Sequence, residues 1–438
     1  MTYKWYLYTA LFFLFSALSF GVLASYVYIS PEFLKQGLGF TALRPIHVSS
    51  VLLWILLGAT GSVYAAMESL SEKKATTSLL SLQWLLWMVA AAGILYSYLN
   101  KSFGGREYWE FNPVWALPIG AAWVIFVMNF VRLVKSITTW PVYVWMWLTG
   151  IVFFLFIFSE NYLWLFPFFK GNLLRDMTIQ WKVNGSMVGA WNQMIYGSAF
   201  FLMDRIAGTK STGRSKVAFF MYFLGLFNLM FNWGHHIYTL PTEKYVRHLG
   251  YAVSMTEWII FIKILYDWKK AVDVAHQQAH HFSYRFLLAA DVWVFLNLFQ
   301  ALLMSIPAVN RLTHGTHVTV AHAMGTTIGI NSMILISACF EFLGYREKMN
   351  RPWKKLLTFS FWLLQGSLFL FWLSLNSAGI QKGLWQLSPE QGSYSGMMEG
   401  LQLWFRLLVL SGIGLLMAFS VLIVFLLKKN PVQAGGTD

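Results

Sequence analysis

Thr313-His314-Gly315-Thr316-His317-Val318-Thr319-Val320-Ala321-His322-Ala323-Met324-Gly325 opens an apolar run that continues to Glu341. His322 stands nine residues into that run, about 14 Å along a helix that rises 1.5 Å per residue. If the run crosses a bilayer, an imidazole at that depth is costly. Such residues persist where they hold a metal or a haem, or pass a proton. His235-His236 lies 87 residues earlier in a second apolar run, and His47 opens a third. Four histidines on three separate apolar segments point to a buried redox site rather than to scattered polarity in a core.

The composition fits a membrane. Of 438 residues, 57% are hydrophobic and only 11% charged, where a soluble domain carries about 25% charged residues. Twelve apolar runs are near or above the ~20 residues needed to cross a bilayer: Leu7–Ile29, Thr41–Ser69, Thr76–Leu99, Pro113–Val134, Pro141–Ser159, Asn184–Met203, Val217–Leu240, His248–Trp268, Phe286–Ile306, Thr313–Glu341, Leu356–Leu375 and Met397–Leu427. No hydrophilic stretch is long enough for a soluble domain, so residues 1–438 are expected to form one membrane-embedded domain. The first run is long and lacks a small-residue cleavage site, which reads as an anchor rather than a signal peptide.

A net charge of +14 resembles a nucleic-acid signal, but topology accounts for it. With the N-terminus inside, the predicted inner loops and tails hold eighteen Lys and Arg and the outer loops eleven. That asymmetry places both termini in the cytoplasm and the chain in a cell's inner membrane, with lipid rather than nucleic acid as its surroundings. The single cysteine, Cys339, excludes an internal disulfide, a Cys-x-x-Cys-His haem attachment and a cysteine-held cluster. Any haem here is therefore non-covalent, and any c-type haem belongs to another subunit.

The same topology sets depth. Span two runs inward, span seven outward and span ten inward, so His47, His235, His236 and His322 all fall in the outer half of the membrane. An isolated membrane histidine is often only an interhelical hydrogen-bonding residue; an adjacent pair is harder to explain that way. His314 and His317 stand near the mouth of span ten. His248, His276, His280 and His281 read as loop or interface residues, the last three solvated.

From these residues the chain resembles the haem-copper oxidase superfamily, and within it the catalytic, NorB-type subunit of the nitric oxide reductases. The resemblance covers nearly the whole chain in number, order and spacing of apolar runs. In that family an early histidine precedes a Leu/Val/Trp-rich run, as in His47-Val-Ser-Ser-Val-Leu-Leu-Trp54. A His-His pair stands on span seven, as in Trp233-Gly-His235-His236. Span ten reads Thr-His-Gly-Thr-x-Val-Thr-Val-Ala-His-x-His, matched here through His322. The resemblance implies an all-α integral membrane protein with twelve transmembrane helices of haem-copper oxidase subunit I type. It also implies two non-covalent b-type-like haems, one low-spin and one high-spin, and one non-haem metal, iron or copper. His322 would be the proximal ligand of the high-spin haem, His235 and His236 ligands of the facing metal, and His47 an axial ligand of the low-spin haem.

Two positions depart from the pattern. Met324 stands where the family has its second span-ten histidine. Residues two apart on a helix point about 200° apart, so Met324 would face the low-spin haem and ligate it, which tends to raise the potential relative to two histidines. The family's third metal histidine, early in span six, is also missing. The nearest phrase is Trp191-Asn192-Gln193-Met194-Ile195-Tyr196-Gly197, with Trp191 and Gln193 as alternatives to Asn192 for the facing residue. Asn192 would offer an amide oxygen, and Tyr196 lies one turn on along the same face. A mixed N/O site suits iron better than copper.

Glu257, 22 residues after His235, matches a buried glutamate of the nitric oxide reductases. A mid-span carboxylate is expensive unless it serves an ion or a proton, so Glu257 is expected to ligate the metal or supply protons. The resemblance thus implies two-electron reduction of two nitric oxide molecules to nitrous oxide and water. Electrons would come from a donor subunit of cytochrome c or cupredoxin type on the outer side. Tyr196 and Lys263 keep an oxygen-reducing oxidase open, although Lys263 is also placed to snorkel to the inner surface. A non-enzymatic haem protein, an electron conduit or gas sensor, is the third reading.

Overall fold

A computed structural model describes residues 1–71, 73–237, 240–241, 243–254, 258–344 and 349–428. The chain begins with two long antiparallel helices, α1 (Tyr3–Tyr26) and α2 (Gly39–Ser71). α2 is buried along most of its length and forms the middle of the bundle. Where the two helices face each other, Ser16 and Ser50 share a hydrogen bond of 3.0 Å. α3 (Thr77–Leu99) follows, then a small antiparallel hairpin of β1 (Phe103–Arg106) and β2 (Trp109–Phe111). The side chain of Asn112 accepts from Val114 N–H and so starts the 3-10 turn that leads into α4 (Ala116–Val134).

α5 (Val142–Glu160) and the single turn α6 (Pro167–Lys170) precede α7 (Leu173–Ala207), a 35-residue helix. α7 starts about ten residues before the expected span, although its first turns carry Arg175, Asp176 and Lys182. Those charges are paired: Asp176 accepts from Arg106 of the hairpin at 2.6 Å, and Lys182 donates to Glu160 of α5. The crossing of α5 and α7 is close because Gly150 has no side chain. A Cβ there would stand 2.6 Å from the Ala190 carbonyl oxygen and 3.0 Å from Met194 N.

α8 (Lys216–Phe231) passes into a 3-10 segment, Asn232–Ile237, followed by α9 (Lys244–Ser254), α10 (Trp258–Ala271) and α11 (Val274–Ala279). α12 (His281–Ser305) leads to α13 (Pro307–Thr313), whose proline fills a first-turn position where no N–H is needed. α14 (His317–Met324) runs through a π-helical stretch, Gly325–Ser332, into α15 (Met333–Phe342). α16 (Arg351–Leu387), α17 (Tyr394–Gly400) and α18 (Gln402–Leu427) complete the described chain.

Among the described residues, nine helical stretches are long and apolar enough to cross a membrane, and they coincide with expected spans one to five and nine to twelve. Span six lies within α7, and span seven falls on α8 and its 3-10 extension. Span eight is described as α9 and α10 on either side of residues 255–257, which lie outside the described residues. Span eleven is longer than expected, continuing from Leu375 to Leu387 through polar and small residues. The reason is packing: a Cβ at Gly379 would stand 2.3 Å from Val318 N, so α16 runs directly against α14 there.

Gly150→Ala should therefore force α5 and α7 apart against backbone atoms, at a cost of about 1–3 kcal/mol. A thermal melt of the detergent-purified protein is expected to fall by several degrees; an unchanged melt would contradict this crossing.

Candidate functional site

The helix that carries His322 is built from its own threonines. Thr316 caps α14 by accepting from Val318 N–H at 3.2 Å, while its hydroxyl donates to the Thr313 carbonyl at 2.7 Å. Thr319 donates to the same carbonyl at 3.2 Å. After Met324 the winding loosens into the π stretch, a form concentrated at functional sites. Glycines let α12 approach that stretch: a Cβ at Gly325 would meet Asn297 Oδ1 at 2.3 Å, and one at Gly329 the Trp293 ring at 2.6 Å. Asn297 donates to Thr326 at 2.6 Å, and from the other side Trp54 of α2 donates to Ser332 at 2.8 Å.

His322 is half-buried on this framework, and its Nδ1 is buried without a hydrogen-bond partner among the described residues. An imidazole left incomplete by its own chain fits a residue that a bound group completes. Met324, two residues on, packs with the cluster of Ala321, Leu375 and Phe405, and a spacing of two on a helix turns the two residues about 200° apart.

His47 is prepared more explicitly. Its Nδ1 lies 2.7 Å from the Ala17 carbonyl oxygen. A carbonyl only accepts, so the proton is on Nδ1 and Nε2 keeps its lone pair, the tautomer an axial ligand needs. Gly21 leaves room for the ring, since a Cβ there would stand 2.8 Å from His47 Nδ1. Both His47 and His322 therefore fit axial ligation of a non-covalent haem.

On α7, Asn192 and Tyr196 are half-buried one turn apart. Asn192 Oδ1 accepts from Asn331 Nδ2 at 3.0 Å, which ties this amide to the π stretch that follows His322. The neighbours Trp191 and Gln193 are buried, with Trp191 Nε1 and Gln193 Oε1 unpaired among the described residues. His235 and His236 fall in the 3-10 segment Asn232–Ile237, which packs against α7. Their side chains, and Glu257 as a whole, lie outside the described residues. Among the described residues no three His, Cys, Asp or Glu side chains gather into a metal site.

The remaining histidines divide. His314 packs against Trp181 with ring centres 5.3 Å apart and planes tilted by 59°, and His317 stands between Tyr28 and Phe405 at 5.6 and 5.5 Å, both in aromatic packing. His276 is exposed and pairs with Asp273. His280 corrects the expectation of a solvated residue: it is 8% exposed, with Nδ1 2.7 Å from Glu341 Oε1. Burial of the partner carboxylate draws the imidazole in. Lys263 is 59% exposed and pairs with Asp267 at 2.8 Å, an outward-facing lysine in accord with the snorkelling reading.

Sequence reasoning missed the Arg44–Glu110 and Arg106–Asp176 pairs, which hold the hairpin against α2 and α7. It also missed Asp291, a buried carboxylate on α12 whose Oδ2 has no partner among the described residues. Its place inside an apolar run was the available signal.

A family model described as cytochrome c and quinol oxidase polypeptide I matches residues 2–430. The curated relatives include a nitric oxide reductase subunit of Stutzerimonas stutzeri, 23% identical over 432 residues, covering 90% of this chain and 87% of that protein. Cytochrome c oxidase subunit 1 of Rhodobacter capsulatus is also 23% identical, over 406 residues, covering 87% of this chain and 75% of that one. Among solved structures, a haem-copper terminal oxidase dimer superposes with a TM-score of 0.75 at 13% identity, covering 98% of this chain and 84% of its own.

The His47 arrangement predicts that Gly21→Val displaces the ring and removes the low-spin haem absorbance while the high-spin signal stays. A full low-spin signal would show that the ring does not depend on Gly21. Met324→His should lower the midpoint potential of that haem, since two histidines hold it below a His/Met pair. The near-infrared band of thioether–iron ligation should vanish with it. An unchanged potential would leave Met324 a packing residue.

Proposed function

The chain belongs to the cytochrome c and quinol oxidase polypeptide I family, the haem-copper oxidases, and from that membership we propose that it is the catalytic subunit of a nitric oxide reductase. The reaction joins two nitric oxide molecules, two electrons and two protons into nitrous oxide and water. The observation that carries this reading is the amide on α7. Asn192, held by Asn331 at 3.0 Å, is proposed to take the position at which an imidazole would complete an all-nitrogen site. An oxygen donor beside two histidines favours iron over copper, and iron in that position fits the reductase better than the oxidase. The nitric oxide reductase subunit among the relatives supports the same choice.

The family's haems and non-haem metal, when bound, supply electron transfer and Lewis acidity. This chain's part is to hold and protonate. His47 presents Nε2 because Ala17 holds its Nδ1 proton, and Met324 is proposed to ligate the same haem through its thioether. His322 is proposed as the only protein bond to the high-spin haem. His235, His236 and Asn192 are proposed as the metal ligands. Glu257 is proposed to deliver the protons, a role that a carboxyl within an apolar run of the sequence suits.

The whole chain, residues 1–438, would work as one membrane-embedded domain in a cell's inner membrane with both termini in the cytoplasm. Cys339 is buried in α15 and is the only cysteine, so a donor's covalent haem has no attachment point here. Electrons would enter from a second subunit of cytochrome c or cupredoxin type on the outer side.

The second reading, an oxygen reductase, rests on Tyr196 one turn beyond Asn192. The exposed Lys263–Asp267 pair weighs against an inward proton route through that lysine. A haem protein without the second metal is the remaining alternative, and metal analysis of the purified complex addresses it directly. Gas consumption by three variants separates the two enzymes. Glu257→Gln should retain both haems yet reduce nitric oxide turnover about a hundredfold or more, because an amide matches the carboxyl in shape but donates no proton at neutral pH. Tyr196→Phe and Lys263→Met should be mild. The reverse ranking, with oxygen consumption lost in the tyrosine and lysine variants and Glu257→Gln near normal, would overturn the proposal.

A further inference from the structure

The end of the bundle that carries the N-terminus, where Tyr3 donates to the Phe342 carbonyl at 3.3 Å, holds a cavity of about 230 Å³ between the start of α12, the end of α15 and the start of α16. At about 30 Å³ each it has room for roughly seven waters. His280, His281, Ser283, Glu341, Met349 and Lys354 contribute to its wall. Glu341 brings the negative charge, and that charge is already met. It is 1% exposed, with Oε1 2.7 Å from His280 Nδ1 and Oε2 3.2 Å from Arg205 Nε.

Two cations near His281, Lys354 on the wall and Arg285 behind it, have no such partner for Lys354 Nζ or Arg285 Nη1 among the described residues. Arg285 lies one turn beyond His281 on the same face of α12, and its Nη1 is buried without a hydrogen-bond partner there. The charges that act on His281 are Arg285 and Lys354, both positive. A guanidinium N–H withdrawn from water is costly to leave unpaired, and here its surroundings add more positive charge instead of relieving it. The group that would satisfy this place is an anion with several acceptor oxygens.

The rest of the wall narrows the choice. Phe282 and Phe340 stack at 5.4 Å beside the polar groups, and Met349 closes the same cavity. α12, α15 and α16 all begin or end at this level, so the cavity opens at the boundary of the apolar bundle. A free inorganic ion would leave the apolar wall unused, whereas a lipid covers both kinds of surface at once. We propose that this cavity binds the phosphate headgroup of an anionic phospholipid, with Arg285, His281 and Lys354 on the phosphate and Phe282, Phe340 and Met349 against the glycerol and first methylenes. Basic pockets between helices at a membrane's inner edge suit such headgroups. Glu341 is nineteen residues from His322, about 28 Å along the helix, so the site is separate from the redox centre and does not depend on which gas is reduced.

The test uses the purified complex in nanodiscs of phosphatidylcholine alone or of an equimolar mixture with phosphatidylglycerol. Native mass spectrometry should show phosphatidylglycerol retained by the wild type, and each cation removed should weaken retention about fivefold. Arg285→Gln with Lys354→Gln should abolish the rise in Tm of about 2 °C that phosphatidylglycerol gives the wild type. Lys354 is exposed, so Lys354→Gln alone keeps the test open if the double variant does not fold. Equal retention and equal stabilisation in the variants would overturn the proposal. So would inorganic phosphate in phosphatidylcholine discs that reproduced the whole effect, since the site would then take a free anion.

Discussion

The close seating of α14 and its π extension is the constraint on which the rest depends. In hydrocarbon every backbone polar group needs a partner within the protein, so a loosened winding survives only where neighbours enclose it. Here α12 closes on Gly325 and Gly329, α16 closes on Val318 through Gly379, and Trp54 of α2 reaches Ser332. With contacts on three sides the stretch has little freedom to rewind. His322 and Met324, just before it, are thereby fixed in direction.

α7 is the second rigid wall, and an amide pair, Asn192 with Asn331, joins it to the first. That pair occupies one lone pair of Asn192 Oδ1 and leaves another, because an amide oxygen carries two. Ligand and structural tie are therefore compatible in one side chain. α7 itself is placed by the bare backbone contact at Gly150 and by Trp147, whose Nε1 donates to Met194 O at 3.1 Å. The residues next to Asn192 are thus pinned by α5, and a change in that distant helix reaches the proposed metal site through backbone rather than through side chains.

Most of the paired charge among the described residues gathers at the two ends of the bundle, and it does different work at each. On the hairpin side, Arg44, Arg106 and Lys182 are paired with Glu110, Asp176 and Glu160, and the pairs tie the hairpin to α2 and α7, and α7 to α5. On the N-terminal side, Arg205 and His280 share Glu341, which leaves Arg285, His281 and Lys354 as a cluster of excess positive charge. That imbalance follows the Lys and Arg bias of the loops, but only the folded chain gathers it into one cavity.

The sequence by itself determined the membrane class, nine crossings among the described residues and the haem-copper family. Each of these is written in short-range pattern: a run of apolar residues long enough for a bilayer, or a phrase such as Thr-His-Gly-Thr whose last threonine caps the helix that follows. What it misjudged was polarity. α7 begins before its apolar run and α16 continues beyond its own, because distant partners satisfy the charges and small residues that seemed to end them. His280 read as solvated for the same reason, its partner Glu341 being 61 residues away. The hydrogen bond that fixes the tautomer of His47 is accepted by Ala17, a residue whose own identity carries no signal, since only its carbonyl is used. Whether a polar group in a membrane is exposed, paired or ready to bind depends on what stands across from it, and the tertiary structure alone decides that.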